Sequence, residues 1–402
     1  MRRILNIVFI MLGLGFAVFG VLAGLFYLGL PVVMGDAQYD LLQVNTVAAS
    51  LMAITGGGGL LLAWVGWSGY AGRPSPRMRP PHPVWLIVAF AGLLASGLFV
   101  LGLGLAPWLF PPLHVAAATV PPLFFVLLAA YLIDRRRPPL PLQDLVGQVA
   151  GGMLVATALS VAIEFMLLAG LLAFVSVLLS LAPGGLERIG TLFGNLRSPE
   201  MLQDPAVAQT LFSSPVILVA AGAALTVGTP LVEAASKGIS LILVGTARRR
   251  PARMEAFLWG VAAGAGFAIT GNMISSLAAL PNWGGPITLR VGTALVQTLT
   301  GGLLGLGWYG WMSGTRRWRL WAYFGLAVAL QGIWNGAAGL ATLLAAPAID
   351  TNSILLMTGG ALFTLTLLGL FIIDGGLFGY LSLRLGQRAA RETDLNRQDR
   401  PA

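Results

Sequence analysis

The sequence predicts an all-α, polytopic membrane bundle of about ten transmembrane helices with both termini cytoplasmic, and three observations predict it. The 402 residues are 57% hydrophobic and only 10% charged, with a mean hydropathy of +0.83, a balance no soluble domain of this length shows. Apolar runs of at least the ~20 residues needed to cross a bilayer recur ten times. They fall at roughly 4–33, 44–70, 84–110, 113–133, 147–182, 214–246, 256–280, 291–313, 320–346 and 354–383. Finally, the arginines sort by side. Twenty lie at Arg2/Arg3, Arg73/Arg77/Arg79, Arg135 to Arg137, Arg248 to Arg250 with Arg253, Arg316/Arg317/Arg319 and the five from Arg384 to Arg400, all in connections of one parity. The other side holds only Arg188, Arg197 and Arg290. Positive charge marks the cytoplasmic side.

Taken in order, the first run follows Met1-Arg2-Arg3 and is about twice the length of a signal-peptide core, with no small-x-small cleavage pattern after it, so it reads as a retained helix. The spans group into an N-terminal four-helix membrane region (1–146), a six-helix membrane region (147–383) and a polar cytoplasmic tail (384–402) expected to be solvated. Breakers lie inside the second span (Gly56 to Gly59), the fourth (Pro121-Pro122) and the sixth (Pro230). Proline in a membrane helix frees a carbonyl that neighbouring polar groups must satisfy. The longest connection, 183–213, carries apolar residues at helical spacing and two cap-plus-proline starts, Ser198-Pro199 and Asp204-Pro205. Short helices on the outer membrane surface follow, either as a packed connector or as a lid over an outward-facing groove.

Composition also excludes. There is no cysteine, hence no disulfide, thiolate ligand or cysteine nucleophile. The two histidines are His82, between prolines in a cytoplasmic loop and expected to be solvated, and His114, at the outer end of the fourth span. The net charge of +9 comes from short clusters flanking spans, a topology signal and not a nucleic-acid patch.

Chemistry concentrates in the sixth to ninth spans. The only lysine, Lys237, stands four residues after Glu233. Either charge at the bilayer centre costs about 3 kcal/mol on insertion scales. The spacing puts both on one helix face with the acid N-terminal, the favourable order for an ion pair. That pair is either a lock between helices or the lining of a site. Asn272, Gln297, Gln331 and Asn335 lie at comparable depth, and polar side chains in hydrocarbon turn inward and bond one another, so a cluster shared by these spans is expected. Gly260-x-x-x-Gly264 and Gly332-x-x-x-Gly336 are faces that permit close helix contact. Glu164, in the fifth span, has no cation at helical spacing; it is either protonated or paired across helices, with Lys237 one candidate. Asp374, near the cytoplasmic end of the tenth span, reads as interfacial.

These residues resemble a known family. Pro230-x-x-Glu233-Ala234-x-x-Lys237-Gly238 is similar to the Glu-Glu-x-x-Lys motif of the PrsW family of intramembrane metalloproteases. Gly264-x-Gly266-Phe267-Ala268-x-x-Gly271-Asn272 resembles its Gly-x-Gly-Phe-Ala-x-x-Glu-Asn motif, and Gln331-x-x-Trp334-Asn335 its His-x-x-Trp-Asn motif. Arg290 and the helix carrying Gln297 match the region of the family's first histidine. The resemblance covers about residues 225–345. It implies an intramembrane protease scaffold, with Glu233 as the one candidate catalytic residue. The departures fall on the metal: Ala234 and Gly271 replace glutamates, while Gln297 and Gln331 replace histidines. Zinc takes about three imidazole, carboxylate or thiolate ligands, and glutamine amides are poor ones. No metal ligand is therefore assigned and no cofactor expected; zinc enters only if the chain is an active enzyme with unusual ligands.

The expectation is a multi-pass protein of the cytoplasmic membrane, surrounded by membrane lipid and without a nucleic-acid partner. It would be a pseudoprotease that binds or regulates another membrane protein, through a transmembrane segment docked at Glu233, Lys237, Asn272, Gln297, Gln331, Asn335 and Glu164. The alternatives are an active metalloprotease and a small-solute or ion transporter, the latter suggested by broken helices and buried charge.

Overall fold

A computed structural model describes residues 2–34, 40–78, 80–104, 108–134, 140–181, 215–246, 251–277, 280–314, 317–351 and 354–398. Ten helices in these residues are long and apolar enough to cross a membrane, as expected. They are α1 (Arg2–Met34), α2 (Leu41–Leu51, Met52–Gly57 and Gly58–Tyr70), α3 (Val84–Leu103), α4 (Phe110–Asp134), α5 (Leu142–Gly151, Gly152–Ala156 and Thr157–Ser180), α6 (Pro215–Ala223, Ala224–Gly228 and Thr229–Thr246), α7 (Arg253–Leu277), α8 (Gly284–Met312), α9 (Trp318–Thr351) and α10 (Ile354–Gln398). The chain is thus a multi-pass membrane protein. The middle segments of α2, α5 and α6 are π-helical turns. Outside the helices, a two-residue antiparallel ladder pairs β1 (Arg77–Met78) with β2 (Leu140–Pro141), tying the connection after α2 to the one after α4. The expected surface helices at 183–213 lie outside the described residues.

The centre is α7. Of its apolar window 89% is buried, against 72% for α8 and 6% for the peripheral α3. The sequence explains this, because α7 is lined all round with Gly and Ala, and a helix apolar on every face belongs in the interior. Its tightest neighbour is α8: a Cβ at Gly260 would overlap the Gly301 carbonyl, and one at Gly264 the carbonyl of Gln297. Small residues here replace side-chain packing with backbone proximity, the main attraction available between helices in lipid. The second glycine pair plays the same part further out, with Gly332 and Gly336 of α9 resting on Thr226 of α6. One hydrophobic cluster runs from Phe9 to Leu385 and includes residues on both sides of the 146/147 boundary. That boundary falls inside the first helical segment of α5, so the two sequence regions share a core.

The breakers have definite partners. Pro122 has no N–H for the carbonyl of Ala118, four residues back, and Asn272 of α7 donates its Nδ2–H to that oxygen at 3.1 Å. In α6 the π-turn ends with the Thr229 N–H on the Ala224 oxygen, five residues back. In that register the Leu225 carbonyl faces Pro230, which again has no N–H. Asn335 of α9 supplies it instead, at 3.4 Å. In α5, Thr157 bonds the Gly152 carbonyl at 3.1 Å and Thr270 of α7 that of Met153 at 3.2 Å.

Large apolar side chains of α1, α3 and α10 point outward. Exposed aromatics gather where the arginine clusters begin: Trp67, Tyr70, Trp85, Trp318 and Trp321. The Arg317 guanidinium lies 5.5 Å from the Trp311 ring and that of Arg384 5.1 Å from Tyr380. Such amphipathic rings mark a membrane–water interface.

Two expectations are corrected. The segment after Arg384 continues α10 as helix to Gln398. Leu385 is buried and Gly386 lies against Leu132 and Ile133 of α4, so packing extends this helix past the apolar run. Asp374, read as interfacial, is 1% exposed, because it sits on the inner face of α10 one turn from the buried Phe378.

The contact between α7 and α8 sets a test. Gly264→Val is expected to destabilise the protein in detergent by at least about 2 kcal/mol through overpacking. Gly271→Ala, which meets nothing within 4 Å, is expected to leave stability unchanged or raise it by about 0.5 kcal/mol. Thermal unfolding of the two variants checks this.

Candidate functional site

An ammonium in hydrocarbon must place three N–H donors. Lys237, on α6, is 1% exposed and places all three on side chains of two other helices. Its Nζ donates to Gln297 Oε1 at 2.5 Å and to Thr300 Oγ1 at 3.1 Å, both on α8, and to Gln331 Oε1 at 3.0 Å, on α9. Gln297 and Thr300 are three residues apart and so share a face of α8. The ring of Phe267, on α7, lies 5.4 Å from the same nitrogen and adds a cation–π contact. Four helices thus converge on one charge.

The amides then reach the acid. Gln297 Nε2 donates to Glu233 Oε2 at 2.7 Å, and Gln331 Nε2 donates to the same oxygen. Each glutamine accepts from the ammonium and donates to the carboxylate, a double duty an amide can perform because its two ends differ. The direct i,i+4 pair expected within α6 is therefore replaced by a relay. The charges still attract one another, but Gln297 and Gln331 stand between them. The physical reason is the third dimension: α8 and α9 present acceptors to Lys237 that satisfy it better than one carboxylate alone.

Glu233 is half-buried, so the relay has a deep end at Lys237 and a rim at the carboxylate. Two further charges act on that rim. Arg290, also half-buried, attracts Glu233 from α8. Glu164 faces it from α5 as a like charge, and its Oε1 accepts from Ser160 Oγ at 2.9 Å. The partner foreseen for Glu164, Lys237, is taken by other groups. Arg290, assigned by sequence to the outer connections, lies inside α8 two turns before Gln297. That seven-residue spacing was the available signal for it, as the i,i+3 spacing was for Thr300.

Asn272 and Asn335, expected in the cluster, do not join the relay. Each caps a proline-freed carbonyl, and Asn335 reaches α6 only at the π-turn preceding Glu233. Trp334, beside Asn335, packs over Gly292 and donates its indole N–H to Thr293 Oγ1 at 3.2 Å, which fastens α9 to α8. His114 is fully buried elsewhere. Trp283 Nε1–H donates to its Nδ1 at 3.0 Å, which leaves Nε2 as the N–H donor to the Met273 carbonyl at 3.2 Å. His82 is exposed, with its ring edge-on to Tyr131.

The donor set at the relay does not suit zinc. It offers one carboxylate, one hydroxyl and two amide oxygens already engaged by an ammonium, and neutral amides are weak zinc donors. A metal taking those oxygens would stand within bonding range of Lys237 Nζ, where like charges repel strongly. Among the described residues no group of three His, Cys, Asp or Glu side chains is placed to hold a metal. Compared with protein-family models, with curated proteins and with solved structures, the chain matches none.

Because each glutamine serves two charges, Gln331→Leu is expected to cost about 3 kcal/mol, stranding part of both. Lys237→Met should cost a similar amount, and adding Glu233→Gln should recover part of it by removing the uncompensated acid. Equilibrium unfolding of the single and double variants checks the sign of that coupling.

Proposed function

We propose that this chain is a PrsW-like pseudoprotease of the cytoplasmic membrane, with its arginine-rich side and both termini in the cytoplasm. In this reading it has lost metal-dependent hydrolysis and binds or regulates other membrane proteins. The observation that carries the reading is the state of Gln297 and Gln331. They stand where the family has histidines, and both ends of both amides are engaged in holding Lys237 to Glu233. A hydrolase of this kind needs a metal to activate water and a free base beside it; here the base position, Glu233, already accepts two amide N–H groups.

Beside the relay lies the rim. Glu233 and Glu164 each keep one carboxylate oxygen without a hydrogen bond among the described residues, and Arg290 brings its guanidinium, at half-buried positions on α6, α5 and α8. Such a rim suits a transmembrane segment that brings a polar or unwound stretch into the bilayer, since exposed backbone there must find hydrogen-bond partners in protein. The partners are therefore membrane lipid on the outer helices and a membrane-protein segment at the rim; the arginines serve topology and leave no nucleic-acid role.

Two measurements on purified protein test this. Metal analysis is expected to find zinc far below one equivalent; stoichiometric zinc that disappears in Glu233→Gln would reinstate the protease. A photo-crosslinking residue at position 164 in native membranes is expected to capture a membrane protein, with capture reduced at least tenfold by Glu233→Ala in a variant that still folds.

A further inference from the structure

Below the relay, toward the arginine-rich face, α5 and α6 meet along a second polar line that the site does not use. Ser236 and Ser240, one turn apart on α6, are fully buried, and Gln148 of α5 is 1% exposed. Ser236 Oγ, Ser240 Oγ and Gln148 Oε1 have no hydrogen-bond partner among the described residues. A serine inside a helix ordinarily satisfies its hydroxyl on the carbonyl four residues back. Others in this chain do so, Ser50 on Thr46, Ser276 on Asn272 and Ser382 on Phe378, each at 2.8 Å. Ser236 and Ser240 turn away from that partner.

The three oxygens belong to one line. Gln148 Nε2 donates to the Leu241 carbonyl at 3.4 Å, which sets this side chain beside the Ser240 turn. Ser240 Oγ faces Gly151 of α5, whose missing side chain brings it close to the backbone. One turn before Gln148 the line continues to the buried Asp144 at the start of α5. One turn before Ser240 it reaches Ser236, the neighbour of Lys237. Buried polar atoms are rarely left unsatisfied, and a guest that both donates and accepts is required to serve hydroxyls and an amide oxygen together.

We propose that α5 and α6 enclose a file of bound water leading from the arginine-rich face, past Gln148, Ser240 and Ser236, to the relay at Lys237. Water both donates and accepts, as two hydroxyls and an amide oxygen together demand. The three oxygens are neutral, so they offer a resident metal cation no balancing charge. The file hydrates the relay from one side of the membrane only, so the polar centre is approached by water from the arginine-rich face and by lipid-borne groups from the rim. It stands whether or not the rim binds a transmembrane segment.

The absence of cysteine makes a direct test possible. Ser240→Cys, Ser236→Cys and, as a control, Ala234→Cys are placed singly in the full chain in sealed vesicles. Ala234 is equally buried but packs in an apolar cluster with Leu304 and Ala327. Silver ions, close to water in size, are added on the arginine-rich side, and thiols left free are alkylated after unfolding. Protection at positions 240 and 236 at least tenfold faster than at 234 is expected. Equal rates at all three, or protection only from the opposite side, would overturn the proposal. Should the variants not fold, radiolytic labelling of the unmodified protein in ¹⁸O water decides. Leu241 and Val244, beside the file, are expected to be oxidised well above the equally buried Leu299 and Leu303; no excess would sink it.

Discussion

The three hydrogen bonds of the Lys237 ammonium are the constraint on which the rest of this structure depends. A buried cation is tolerated only if every donor is placed and the charge is balanced nearby. Meeting both demands requires α6, α8 and α9 to converge, with Phe267 of α7 closing the fourth side. Gln297 and Gln331 are suited to the place because an amide can face a cation with one end and an anion with the other. A hydrophobic side chain at either position would strand both charges.

Convergence in turn requires thin helices. Backbones approach at Gly260, Gly264 and Gly301 between α7 and α8, and at Gly332 between α9 and α6, which brings side chains of ordinary length within hydrogen-bonding range of one another. The same closeness lets Asn272 and Asn335 reach carbonyls freed by Pro122 and Pro230. Prolines, glycines and asparagines thus form one system: the breakers open hydrogen bonds, the glycines bring a neighbour near, and the asparagines close what was opened. What this system leaves over is a half-buried acidic rim with one arginine, and a polar line between α5 and α6.

Much of this was legible in the residues. Ten spans, the isolated charges of α6, the glycine faces and the need to satisfy proline-freed carbonyls were all readable, because each rests on local composition or spacing. Membership of the polar cluster was less so. Asn272 and Gln297 look alike in a sequence, both amides at mid-span, yet one caps a kink in α4 and the other relays charge. Asp374 and Arg290 were misplaced for a related reason. Distance from the end of an apolar run gives depth along a helix but not the direction in which a side chain points. The run past Arg384 continues as helix because α4 offers it a surface, which no property of the segment announces.

The sequence by itself determined the number of crossings, the all-helical class and the position of Glu233 and Lys237 on one turn of one helix. These follow from bilayer thickness and helical pitch, which act on contiguous residues. Only the tertiary structure decided that the two charges are joined through Gln297 and Gln331. Which face meets which neighbour depends on contacts 60 to 98 residues apart in the chain. It depends also on the π-turn of α6, whose one extra residue swings the following helix by about 100°. A rotation of that size moves a side chain from one neighbour to the next, and no local pattern records it.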